Sequence, residues 1–430
     1  MVQIKLFIFA LISIVFLQVN VSAAKKDSTL RVGDYLIAQI SSQANDYNAA
    51  NIHYLNLLKK DKKNINLYLK IIKNNLLNNK IEEANKYYIK LKKIGCNNSN
   101  LECINFLESI GPLVNGIVDL KNNRNNKALK AFSKIRNFEE NELYAGLLKA
   151  WSLANFYTFK QSIETLDGIR SESNSNEIIM HKALIYDLVN EVELAEIFYE
   201  QALINRQEVS LINYYLNFLH RNNKNKKKEQ FLQKLYADSN YQISINNNIL
   251  LDTRLIESQS NGVGLVLYEA SQQLGFEDMK LSRSILNIAN YSYPNLHEVG
   301  FLSASLLYSL EFSEEAIRLY KAIPHNHYLS SLAVIQLASL LNLNNEEDEA
   351  IKALKDYLKV KNNFKVKMTL GDHYRYKSDW ENAQKTYTQI IENEKYALDP
   401  NLWNTFYRRG IAHERNKQMD LAEKDFIKAL

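Results

Sequence analysis

The strongest constraint on this chain is an internal period. A small residue, followed four and seven positions later by apolar ones, recurs from Ala50, Tyr54 and Leu57 through Ala84, Ala128, Ser162, Ala195, Lys228, Ser282, Ala316, Ala350, Ala383 and Ala422. The intervals between these leading residues are 34, 44, 34, 33, 33, 54, 34, 34, 33 and 39. Twelve positions before each leader stand Ala38, Ile72, Gly116, Ala150, Ala183, Leu216, Ala270, Ala304, Ala338, Gly371 and Gly410, nine of the eleven being Gly or Ala. Offsets of four and seven keep side chains on one face of a helix. Two antiparallel helices approach closely only where side chains are small, so each paired position marks a helix crossing. One such pair cannot bury its apolar face alone, and stacking of neighbours must close the core.

Composition agrees with an all-helical chain. Only 12 Gly and 4 Pro punctuate 430 residues, too few for the tight turns of a sandwich, barrel or doubly wound sheet. Asn and Lys mark most of the turns instead. Normal hydrophobic content with 26 Tyr argues against disorder. Formal net charge is only +5, far from the footprint of a nucleic-acid binder.

A 34-residue helix–turn–helix period with these small and large positions resembles the tetratricopeptide repeat family. The best copies are WNTFYRRGIAHERNKQMDLAEKDFIKAL from Trp403 and LGDHYRYKSDWENAQKTYTQI from Leu370. The resemblance covers nearly everything after the first two dozen residues. It departs at Lys228, Ile72 and Leu216, which replace small residues, and at the two long intervals. It implies an all-α, right-handed superhelical solenoid whose first helices line a concave groove for a peptide or a partner's helix. Lys365, Asp372, Tyr376, Tyr407 and Arg415 fall at groove positions of the last two copies. The chaperone-docking members' carboxylate-clamping set of Lys and Asn is missing. In overall pattern the chain looks like the long exported tetratricopeptide proteins of bacteria.

The organisation expected is a signal peptide over 1–24, an array over 25–236, an extra helix or hinge over 237–262, and a second array over 263–430. Lys5, the apolar run Leu6 to Leu17 and a small-residue site ending at Ala23 or Ala24 make up the leading segment. No later stretch reaches transmembrane length, so the expected product is an exported protein of the bacterial periplasm, with no integral membrane segment after cleavage. The array stops at Leu430 without a polar capping helix, and is expected to continue in the natural protein.

No catalytic motif, cofactor loop or metal site emerges. Cys96 and Cys103, seven positions apart, flank the turn Asn97 to Asn100; in an oxidising compartment they suggest a disulfide, with two buried thiols as the alternative. His325 and His327 read as solvated turn residues. His373 and His413 sit in first helices, with the groove as one expected setting. Gly262-Val263-Gly264 reads as a helix entry, and the run Arg221 to Lys228 as a solvated basic turn. The function expected is therefore a non-enzymatic scaffold for a protein or peptide partner, with no cofactor. A regulatory arm of an enzyme, or a glycan-contacting module, are the other readings.

Overall fold

The computed structural model describes residues 26–135, 142–169, 175–205, 208–237, 252–274, 278–393 and 402–430. The expected signal segment, and most of the expected hinge at 237–262, lie outside them. All regular structure among the described residues is α-helix. The helices run as α1 (Lys26–Gln43), α2 (Tyr47–Lys60), α3 (Ile65–Leu77), α4 (Ile81–Ile94), α5 (Leu101–Glu108), α6 (Ile110–Lys121), α7 (Asn125–Phe132), α8 (Glu142–Leu153), α9 (Phe159–Asp167), α10 (Ser175–Leu188), α11 (Val192–Asn205) and α12 (Val209–Arg221). They continue as α13 (Asn225–Ala237), α14 (Gln259–Leu274), α15 (Met279–Ser292), α16 (His297–Ser309), α17 (Ser313–Lys321), α18 (Ser330–Leu343), α19 (Glu347–Val360), α20 (Phe364–Tyr376), α21 (Trp380–Ile391), α22 (Leu402–Arg415) and α23 (Met419–Ala429). Their contacts form two compact units, Met1–Asn115 and Gly116–Leu430. The expected boundary at 237–262 falls inside the second.

Each sequence repeat is one helix hairpin, and the crossing residues are its core. All eleven first-helix crossing positions are buried, the larger Ile72 and Leu216 included. Of the second-helix leaders, only Lys228 is not buried. The glycines show what the small residues are for. A Cβ added at Gly371 would lie 2.4 Å from the Tyr387 ring, one at Gly116 2.3 Å from Phe132, and one at Gly410 2.7 Å from Phe426. The large residue four positions after each leader therefore sits directly on the first helix. Where it is tyrosine, its hydroxyl is often caught by the residue just after the crossing. Tyr54 donates to Gln39 (3.2 Å), Tyr387 donates to Asp372 (2.8 Å), and Tyr320 pairs with Ser305 (2.9 Å). Burying a phenol without such a partner costs free energy, so the pair fixes ring and register together.

The turn inside each hairpin repeats as closely. Asn45, Asn79, Asn123, Asn190, Asn223, Glu311, Asn345, Ser378 and Lys417 adopt positive φ, each five residues before a leader. The following backbone N–H then reaches back to the first helix, as Lys80 does to the Asn75 carbonyl and Asp379 to that of Tyr374, both at 2.8 Å. This is a Schellman closure, which needs one left-handed residue. Asn tolerates that conformation better than any residue but Gly, which explains a Gly-poor chain whose turns are rich in Asn.

The 44-residue interval is an insertion. It holds α5, which leans on α3 through Lys73 and Glu102 (2.6 Å) and through Asn100 and Asn66 (3.3 Å). Cys96, in the turn before α5, and Cys103, in its first turn, have Cα atoms 5.8 Å apart with their sulfurs in contact.

One expectation is corrected here. The basic run Arg221 to Lys228 is not a freely solvated turn. Arg221 is buried against Asp187, and Lys224 and Lys227 both reach Glu196 on α11. Burial alone would raise the Glu196 carboxyl, but the two lysine hydrogen bonds outweigh it and hold it below its usual range. The carboxylates that neutralise the run come from the preceding hairpin, which local charge density does not reveal.

Gly371→Leu should lower the stability of the C-terminal hairpins by ~1–3 kcal/mol, because Tyr387 has no room to withdraw. Gly33→Ala, with nothing within 4 Å of the added Cβ, should be neutral or gain up to ~1 kcal/mol of helix propensity. Urea midpoints of the two variants measure this, and equal shifts would contradict the seating of Tyr387.

Candidate functional site

A groove in a helix-hairpin array is built from its first helices. Positions three before, one after and five after the crossing residue share a face about a quarter turn from the second helix. Within the unit Gly116–Leu430 this face takes two forms.

In α8, α10 and α12 it is covered. Leu147, Trp151, Met180, Leu184, Asn213 and Asn217 occupy it, and all are buried. What covers it is α14 together with the residues just before it. Gly262 and Gly264 do more than open that helix. A Cβ at Gly262 would lie 2.1 Å from the Trp151 indole, and one at Gly264 2.6 Å from Tyr293 Cβ. Two glycines one turn from the start of α14 thus let it lie flat on α8 and α15. Polar side chains fix the contact. Gln259 accepts from Asn125 (2.7 Å) and donates to the Ser152 carbonyl (2.8 Å). Asn217 donates to the Thr253 carbonyl at 3.1 Å. Asp187 on α10 accepts two bonds from Arg221 (2.8 and 2.6 Å) and one from Tyr199 (3.2 Å). Its backbone carbonyl takes Arg254 at 3.0 Å. The Asp187 carboxylate beside Tyr199 adds to burial in pushing that phenol well above its usual range.

In α16, α18, α20 and α22 the face is more open, although Met368 on it is buried. Leu343 is 63% exposed, Tyr376 64% and Tyr407 48%; Tyr308 and Leu332 are also exposed. Of the five residues placed in the groove from sequence, Lys365 and Arg415 are exposed, as are Tyr376 and Tyr407. Asp372 is different. It accepts from the Tyr387 hydroxyl, contacts Arg408 of the next first helix, and stands 3.6 Å from Arg375. Burial works against the Arg408 charge, yet the bond to Asp372 outweighs it and holds the guanidinium above its usual range. Asp372 therefore tethers α20 to α22, and the open face is left with an aromatic and aliphatic floor and the cations Lys365 and Arg415. His373, a possible groove residue from sequence, is buried, and burial holds its imidazole below the usual range. His413 is half-buried beside Gln418 (2.7 Å) and Asp425 (3.7 Å).

The turn histidines also need correcting. His325 is exposed, but the His327 side chain is 16% exposed, with Nε2 3.6 Å from Glu298 and its ring 5.2 Å from that of His297. Its carboxylate partner lies one hairpin earlier, where spacing within the turn gives no hint of it. Among the described residues no group of three or more His, Cys, Asp or Glu is placed to hold a metal ion, and no helix is long and apolar enough to cross a membrane.

Sequence reasoning missed the covered face, although a signal existed. Groove positions in α8 read Leu147 and Trp151, and those of α10 read Met180 and Leu184. Such residues are costly to leave in water. Gly262→Leu should therefore displace α14 from α8 and destabilise this unit by ~1–3 kcal/mol. In a Trp380→Phe/Trp403→Phe background it should expose Trp151 to acrylamide quenching; unchanged quenching would contradict the packing.

Among solved structures the chain is similar to MamA, at 18% identity over 40% of this chain and 91% of that one, with a TM-score of 0.33. It is also similar to YrrB, described as a tetratricopeptide protein with an unusual peptide-binding site, at 12% identity over 39% and 84% and a TM-score of 0.31. The tetratricopeptide domain of P58(IPK) aligns over 93% of this chain and 92% of its own, at 12% identity and a TM-score of 0.24. No protein-family model matches the sequence, and no curated protein aligns with it. On their own crossing register and turn geometry, the described residues form an all-α array of helix hairpins similar in fold to tetratricopeptide repeats.

Proposed function

We propose that this protein is an exported, non-enzymatic interaction scaffold that holds a peptide or a partner's helix on the open first-helix face of α16, α18, α20 and α22. The contrast between the two faces carries the reading. The first-helix face that is covered in α8, α10 and α12 leaves large apolar and aromatic side chains in water further along, at Leu343, Tyr376 and Tyr407. Exposed aromatics beside Lys365 and Arg415 suit an extended or helical segment with apolar anchors and a carboxylate. Binding of a peptide by YrrB is compatible with this use of such a face.

The experiment is a selection from a displayed random-peptide library, followed by affinity measurements on the chosen peptides. Tyr376→Ala combined with Tyr407→Ala should weaken binding roughly tenfold or more, as loss of aromatic anchors does. Tyr157→Ala, at a fully solvated tyrosine of the hairpin turn before α9, should change nothing. Failure to select any peptide, or equal affinity for the double variant, would count against the site.

Export rests on the leading apolar segment, and the cysteine pair provides a check on it. In an oxidising compartment the 5.8 Å Cα separation of Cys96 and Cys103 favours their pairing. Mass mapping of the protein recovered after export, without reduction, should find the two linked. Two free thiols in that material would argue for a reducing compartment.

A further inference from the structure

The covering of the middle first helices is incomplete. A compartment of about 190 Å³ remains between α10, α12, α14 and Tyr328, and shares Tyr214, Glu298 and Tyr328 as walls with a neighbouring chamber of about 390 Å³. One water needs only ~15 Å³ of such volume, so the space suits a small group or side chain.

The chemistry of its wall is one-sided. Three carboxylates, Glu208, Glu269 and Glu298, and three phenols, Tyr214, Tyr268 and Tyr328, line it, and among the described residues no Lys or Arg does. Two of the carboxylates are largely withdrawn from water, with side-chain exposures of 16% for Glu269 and 10% for Glu298. Glu269 meets His181 Nε2 at 2.9 Å. Trp151 Nε1 donates to the other nitrogen of that imidazole at 3.0 Å. An indole N–H can only donate, so His181 accepts at Nδ1, carries its single proton on Nε2, and adds no charge. Glu298 meets His327 at 3.6 Å and accepts from Tyr328. Burial alone would raise its carboxyl, but these partners and its backbone hold it below the usual range. His297, the other nearby base, is also held below its usual range, by burial first and then by His327, which favours its neutral form. Among the described residues that line the compartment, no cation stands against these two withdrawn carboxylates, and His327 is the one charged partner either could have.

The adjoining chamber adds an independent sign. Asn213 is 6% exposed, lines that chamber, and its Oδ1 has no hydrogen-bond partner. Arg254, the cation of that chamber, is committed to Asp187. A buried acceptor without a donor is expensive, and two withdrawn carboxylates held largely by neutral donors can take a further cation. Aromatic rings around an anionic floor are a strong environment for an organic cation.

We infer that this compartment binds an alkylammonium or guanidinium group, carried by a free amine or by the basic side chain of a peptide. The cation lies against Glu298 and Glu269 among the three phenols, and its N–H groups or trailing polar atoms reach Asn213 Oδ1. This site is separate from the open face, and the proposal stands whether or not that face takes a peptide.

Titration calorimetry on the full chain tests it with agmatine and cadaverine as free cations, and with a blocked lysine tripeptide as the side-chain source. Pentanol and the norleucine tripeptide are the neutral counterparts. At least one cation should bind ~tenfold or more tightly than its counterpart, the gain expected when a cation is desolvated among rings and carboxylates. Which arm binds identifies the source. Glu298→Gln and Glu269→Gln should each weaken that binding ~tenfold, while Glu164→Gln, at an exposed site on α9, should leave it unchanged. Without ligand, the far-ultraviolet helix signal of both glutamine variants should match that of the parent chain, so that lost binding is not lost fold. Absence of binding by every cation, or affinity undiminished from the parent chain in both glutamine variants, overturns the proposal.

Discussion

Everything in this array depends on a large side chain seated on a small one. Tyr387 on Gly371, Phe132 on Gly116 and Phe426 on Gly410 bring two helices closer than ordinary side chains allow. That approach sets the angle of each hairpin, and so the direction in which the next one stacks. It also decides which part of the first helix remains free to face a groove. The phenol hydroxyls then fix the rotation of the pair, since Tyr54, Tyr320 and Tyr387 find partners only in one register.

The crossings and turns were legible because they are local and steric. A Gly or Ala that keeps returning twelve residues before another small residue marks a helix crossing and little else, and a left-handed turn residue five before the leader selects Asn. Where the turn residue is Glu311, Ser378 or Lys417, the repeat had to be read from the crossing alone. The open groove positions were legible for the same reason, since they follow from the register. Asp372 falls on that face by register, but its part as a tether is not visible from the register. Its partner Arg408 belongs to the next hairpin, 36 residues on.

The covered face was not legible, and the reason is separation in sequence. Trp151 and Ser152 on α8 meet a helix about a hundred residues downstream; the Ser152 carbonyl bonds Gln259 across 107 positions. No period connects those residues, and the glycines that permit the contact look like a helix entry. The polar bonds that secure it, from Asn217 to Thr253 and from Arg254 to Asp187, leave one acceptor unmatched at Asn213. Burying polar groups in this way adds little net stability but penalises any other docking, because each mismatch strands a donor or acceptor. The array therefore fills one groove with its own chain and keeps another clear.

The most direct test of that division is hydroxyl-radical footprinting of the full chain, read residue by residue. The account predicts rapid labelling of Leu343, Tyr376, Trp403 and Tyr407, and strong protection of Tyr144, Trp151, Met180 and Tyr214. Comparable labelling rates at the two sets of first-helix residues would contradict it, for then α14 would not cover the middle face and the two grooves would be alike.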